Sequence, residues 1–198
     1  MRNLFNPESL VWKPLGILGE LVTLSLLWAL CSIPLVTVGP ASAALYDAAV
    51  HAMRRKEDTV PERFFYTFRR ELKEGVLATL VWAGVWLALA LGLYALLRVA
   101  ARWPLVLAGA LLLGFFLLGI QCWVWPTLSR FTIPLGALLS VSLRLALGHS
   151  LRSAAMALLW GGALYAGLRY VAPLFVLPGL AAWLCSYLIE PVFRQYDP

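Results

Sequence analysis

The chain has 198 residues, of which 62% are apolar and 13% charged, against roughly 45–50% and about 25% in a soluble domain. A water-facing globule of this size does not hide so much hydrocarbon, and the mean hydropathy of +0.81 excludes a cytosolic enzyme, a disordered tail and a fibrous repeat, leaving an integral membrane protein. The net charge is +6, but the Lys and Arg stand at the margins of apolar runs, where they read as topology signals and lipid-headgroup contacts and not as a nucleic-acid surface.

A helix crossing about 30 Å of hydrocarbon needs roughly 20 apolar residues, because its backbone must be satisfied internally. The first such run covers about residues 15–38 and is broken only by Glu20. Ala41-Ser42-Ala43 behind it imitates a signal-peptidase site. The run is longer than a secretory apolar region and further runs follow, so it is expected to stay as a span. A carboxylate inside a span is a functional-site hypothesis by default. Near the outer end, however, Glu20 is expected to reach the headgroups or to pair with Arg102 or Arg169, and the structural reading is preferred.

At the end of this run stands Cys31-Ser32-Ile33-Pro34-Leu35-Val36-Thr37-Val38-Gly39-Pro40. Pro34 removes a backbone donor, and Gly39-Pro40 ends one helix and opens another. The chain is expected to bend there and run along the cytosolic surface, with Ala41, Ala44, Leu45, Ala48 and Ala52 on an apolar face and Asp47, His51, Arg54 and Arg55 toward water or a partner. Asp47 and His51 are one turn apart and share a helix face. Phe65, Phe68, Leu72 and Val76 then recur at helical spacing among Arg63, Arg69, Arg70 and Lys73. That pattern describes an interfacial helix closing a cytosolic segment of residues 40–74.

Four more spans are expected, at about residues 75–97, 104–126, 150–169 and 172–190, with a second interfacial or re-entrant helix over 134–148. Gly84, Ala88 and Gly92, then Ala110 and Gly114, then Ala157 and Gly161, form stripes of small residues that let helix backbones approach. Trp103, Trp123 and Trp125 stand at span ends as interfacial anchors. Residues 62–131 and 134–196 look like two copies of one unit of interfacial helix, span, tight turn and span: Tyr94 to Arg98 matches Tyr165 to Arg169, and Cys122 before Pro126 matches Cys185 before Pro191.

Cys31, Cys122 and Cys185 are odd in number and lack metal spacing, so packing is their expected role. His149 stands far from His51, and no metal or cofactor set and no catalytic constellation is apparent. Counting Lys and Arg on alternate sides places Arg2, Lys13, Arg98, Arg102 and Arg169 outside. The other eleven, from Arg54, Arg55 and Lys56 to Arg130 and Arg194, fall inside. The expectation is a multi-pass protein of the cell membrane with its N-terminus outside and its C-terminus in the cytoplasm.

The motif Leu30-Cys31-Ser32-Ile33-Pro34, with Thr37, Gly39-Pro40-Ala41 and Ala44-Leu45-Tyr46, resembles the YesL-like family, small bacterial membrane proteins grouped as a domain of unknown function. Phe5-Asn6-Pro7, Phe64, Phe65, Phe68, Pro126, Arg130-Phe131, Pro178-Gly179 and Glu190-Pro191-Val192 extend the resemblance along the chain. Because such proteins are often encoded beside carbohydrate ABC importers, the resemblance implies a non-enzymatic accessory or assembly role beside a permease, with Cys31, Pro34, Thr37, Gly39, Pro40, Ala44 and Tyr46 as the structural or partner motif. The alternatives are a homo-oligomer and a small self-sufficient transporter or channel with a path near Glu20 and Arg169.

Overall fold

The computed structural model describes residues 12–99, 104–131, 133–170 and 175–196. Arg2, Phe5-Asn6-Pro7, Arg102, Trp103 and Pro173 lie outside them. Among the described residues the regular structure is helical: α1 (Trp12–Cys31), α2 (Val38–Ala48), α3 (Val60–Arg70), α4 (Leu72–Val99), α5 (Pro104–Arg130), α6 (Leu135–Gly148), α7 (Ser150–Arg169) and α8 (Leu177–Tyr196). Two stretches, Leu72–Leu96 on α4 and Leu107–Arg130 on α5, are long and apolar enough to cross a membrane. They are two of the five crossings expected.

The first expected crossing takes a different form. α1 stops at Cys31, where Pro34 supplies no donor to continue the ladder. A 3-10 turn at Leu35–Thr37 then reverses the chain into α2. The two helices lie antiparallel: Trp28 Nε1 donates to Ser42 Oγ at 3.1 Å, and farther from the turn Lys56 Nζ reaches Glu20 at 2.8 Å. Glu20 and Lys56, which the charge count sets on opposite faces of the bilayer, therefore stand at the same end of one hairpin.

Nor does α2 run along a surface. From Gly39 to Ala49 every residue is buried, and α2 packs on α1, α3, α4, α5 and α8. Its small side chains make this position available, since a helix rich in Ala accepts close neighbours on all sides. Leu21, Leu24, Ala44, Leu45, Ala48 and Phe64 form one core cluster around it, and Trp123, Leu128, Leu138, Met156, Ile189 and Phe193 belong to the other.

Two of the closest helix contacts occur at glycines outside the expected stripes. A Cβ on Gly75 would lie 2.8 Å from the Pro40 ring, and one on Gly39 would meet Thr79 and the Gly75 carbonyl. The Gly39 amide donates to Thr79 Oγ1 at 2.9 Å, fastening the start of α2 to α4. A Cβ on Gly179 would come within 2.8 Å of the Leu21 carbonyl, so α8 crosses α1 equally tightly. Of the stripe glycines, Gly114 faces Leu89 and Gly161 faces Leu118, whereas Gly84 and Gly92 look into open space.

A single residue, Glu71, joins α3 to α4, and a single residue, His149, joins α6 to α7. The helices that follow differ in length, α4 and α5 having 28 and 27 residues and α7 and α8 having 20 each. α3 opens at Thr59, whose hydroxyl donates to Glu62 at 2.7 Å, with Pro61 in the first turn. Val60, Phe64, Thr67 and Glu71 form its buried face, while Phe65 and Leu72 remain on the outside.

Candidate functional site

Among the described residues three carboxylates are buried beside the helix core: Asp47 on α2 is 3% exposed, and Glu71 and Glu190 are 2% exposed each. A buried carboxylate is tolerated only when paired and hydrogen-bonded, and each of the three meets arginine. Asp47 accepts from Arg63 Nε of α3, from Thr67 Oγ1 at 2.6 Å, and lies 3.1 Å from His51 Nδ1. Glu190 on α8 accepts from Arg55 at 3.0 Å and from Arg130, the last residue of α5, at 3.2 Å. Glu71 accepts from Arg70 Nε at 2.6 Å, and the same guanidinium donates to the Ser129 carbonyl at 2.5 Å.

These contacts tie α2 to α3, α8 to both α2 and α5, and the α3–α4 joint to the end of α5. Arg54 adds a further link by donating to the Ser186 carbonyl at 3.0 Å while covering the Tyr187 ring at 4.5 Å. Arg54, Arg55, Arg63, Arg70 and Arg130, expected at the lipid headgroups, thus bind other parts of the same chain. Burial pulls the Asp47 carboxyl upward, but hydrogen bonds from His51, Arg63 and Thr67 outweigh it and hold the group at about 2, below its ordinary 3.8. The same carboxylate raises Arg63 against the desolvation that opposes its charge.

Asp47 and His51 share a face as expected, but Arg54 and Arg55 are not presented with them, as a regular helix would have them. Beyond Ala48 the helix widens into a π-helical turn, Ala49–Arg54, marked by the Arg55 amide bonding back to the Val50 carbonyl at 3.0 Å. The extra residue rotates the downstream side chains about the helix axis. Asp47 therefore faces α3, while Arg54 and Arg55 face α8.

The motif residues fall into two groups. Cys31, Pro34 and Thr37 build the turn between α1 and α2, and the Thr37 hydroxyl lies 2.6 Å from the Cys31 carbonyl and 2.7 Å from that of Pro34. Gly39 and Pro40 make the crossing on α4, and Ala44 fills the core between α2 and its neighbours. Tyr46 is buried with its hydroxyl unpartnered, and burial pushes that phenol well above its ordinary value, with Glu190 adding to the rise. Cys122 and Cys185 are buried thiols, while Cys31 is partly exposed at the turn.

Glu20 and Arg169 are not brought together. Glu20 is closed on Lys56 instead of Arg102 or Arg169, and the exposed Arg169 lies over the Tyr170 ring at 5.7 Å. Lys56 reaches Glu20 from the left-handed backbone region (φ 58°), the single non-glycine among the described residues to do so. Sequence reasoning passed over Glu71 as an acid beside Arg69-Arg70, and took Glu190 only as part of a terminal motif. An acid at the margin of an apolar run signals such a pairing, but it does not reveal the partner.

No curated protein and no solved structure matches the chain. Residues 21–93, from the middle of α1 through the α1–α2 hairpin and α3 to most of α4, match the model of a family described as a protein of unknown function, DUF624.

Proposed function

We propose that this chain is a non-enzymatic, multi-spanning protein of the cell membrane that works by association, as an accessory or assembly partner of a carbohydrate importer's permease. The family resemblance of the Cys31–Tyr46 motif supplies the kind of partner. The observation that carries the reading is the outer face of α4, where Gly84, Ala88 and Gly92 lie exposed between Leu80, Leu87 and Leu91. Small residues flanked by leucines form a groove into which another helix packs by dispersion, the main source of helix association in lipid. Behind it, the arginine and carboxylate ties hold α2, α3, α5 and α8 as one support.

A self-sufficient transporter with a path between Glu20 and Arg169 is less well supported, because Glu20 is closed on Lys56 and Arg169 rests on Tyr170. The test is capture of the tagged full-length chain from its native membrane in mild detergent, with identification of the proteins that accompany it. Recovery of a permease that is lost in a Gly84→Leu/Gly92→Leu variant is the expected result. Recovery of the chain as a clean monomer or homo-oligomer would overturn the association.

A further inference from the structure

The turn between α1 and α2 has an unusual surface. Leu30 is 62% exposed, Ile33 74% and Leu35 80%, Val36 is exposed beside them, and residues 21–46 contain no charge. Such a tip in water would be a patch with no compensation. Its position along the fold is fixed, because the turn packs on α4 and the Gly39 amide is bonded to Thr79. Thr79 lies seven residues, about 10 Å, inside the Leu72–Leu96 stretch that is long enough to cross a membrane.

Part of the turn's backbone is satisfied within the chain, as hydrocarbon requires of non-helical segments. The Ser32 amide donates to Trp28, the Ile33 amide to Leu30 and the Thr37 amide to Pro34, while Pro34 has no donor to satisfy. The carbonyls of Cys31 and Pro34, released by the end of α1, share the Thr37 hydroxyl. At the far end of the hairpin, Glu20 and Lys56 hold the two limbs side by side among charged residues.

From these observations we infer that α1 and α2 form a re-entrant hairpin whose apolar tip, Leu30 to Val36, sits among the lipid acyl chains and returns to the face it left. The occupant of the exposed tip is lipid: the tip is charge-free, the carbonyls of Cys31 and Pro34 are capped within the chain, and the exposed leucines Leu77 and Leu80 stand near the same level of α4. The inference rests on membrane residence of α4 and α5, and it does not depend on any permease.

The test uses the full-length chain with Cys31→Ser, reconstituted in phosphatidylcholine and phosphatidylglycerol vesicles. Single nitroxides are placed by Leu35→Cys, by Ile33→Cys, by Leu112→Cys on the exposed side of α5, and by Glu57→Cys as the aqueous reference. Relaxation by oxygen and by a water-soluble nickel chelate is then compared. The expected result is oxygen contact at positions 33 and 35 as strong as at 112, with nickel contact at least several-fold below that at 57. Nickel contact at 33 and 35 but not at 112 overturns the re-entrant tip alone, and nickel contact at 112 as well overturns the membrane reading beneath it. Weak contact with both agents at 33 and 35 means that protein covers the tip, and it also overturns the proposal. A second readout is independent of depth: an impermeant maleimide is expected to label Ile17→Cys and Glu57→Cys from the same side of sealed vesicles, and labelling from opposite sides overturns the hairpin.

Discussion

Lys56 Nζ lies 2.8 Å from both carboxylate oxygens of Glu20, across 36 positions of sequence. Both side chains are partly exposed, so the pair adds only about 0.2–1 kcal/mol, and its value is as a ruler. Replacing both residues by cysteine in a chain otherwise freed of cysteine is expected to give rapid intramolecular cross-linking with a short bifunctional maleimide. Failure to cross-link in the reconstituted protein would show that the limbs of the hairpin are apart.

Asp47 gives a pH signature. Its folded value of about 2 lies below the ordinary 3.8, so its contribution is complete above the ordinary value and is lost as pH falls toward 2. The shift corresponds to about 2 kcal/mol. Thermal unfolding in detergent between pH 6 and pH 2.5 is expected to show about two thirds of that loss, and Asp47→Asn is expected to be less stable at pH 6 with a flatter acid limb. An unchanged acid limb in the variant would remove Asp47 from the account.

The glycines divide by their surroundings. Gly75→Ala places a methyl against Pro40 and Gly39→Ala places one against α4, so each is expected to cost about 1–3 kcal/mol through overpacking. Gly84→Ala meets nothing within 4 Å and is expected to be neutral or to gain up to about 1 kcal/mol from helix propensity. Unfolding midpoints of the three variants in one detergent check the order.

Thr37 tests the turn without touching its shape. Thr37→Val keeps the volume and strips the hydroxyl from the carbonyls of Cys31 and Pro34, an expected cost of about 1–3 kcal/mol. Thr37→Ser restores the donor and is expected to recover most of the loss. Equal stability of the two variants would show that the hydroxyl is idle.

Much of the helical framework is legible in the sequence because it follows from local apolar length: the run over 150–169 is α7, Ser150–Arg169, and the short run before it is α6, Leu135–Gly148. The turn at Pro34 and the opening of a helix at Gly39-Pro40 are legible too, since proline and glycine act where they stand, although the helix before them has already ended at Cys31. Relations over distance escape such a reading. Nothing near Arg55 announces a carboxylate 135 positions away, and nothing near Gly75 announces Pro40. With its partners unseen, α2 reads as a surface helix, because four polar side chains at 47, 51, 54 and 55 share one face of a regular wheel.

The widened turn at Ala49–Arg54 carries a consequence for how the chain tolerates change. It works as a phase coupling between two gears: upstream of it α2 meshes with α3, downstream with α8, and the offset between them is one residue. Excising Ala49 would let the widened turn close into regular helix and keep the second gear in phase with the first, whereas excising Ala44 from the regular part of α2 would turn everything beyond it by roughly 100°. In the second case Asp47 would swing away from Arg63, and Arg54 and Arg55 from Ser186 and Glu190, so the place of a deletion decides whether the C-terminal helix keeps its seat.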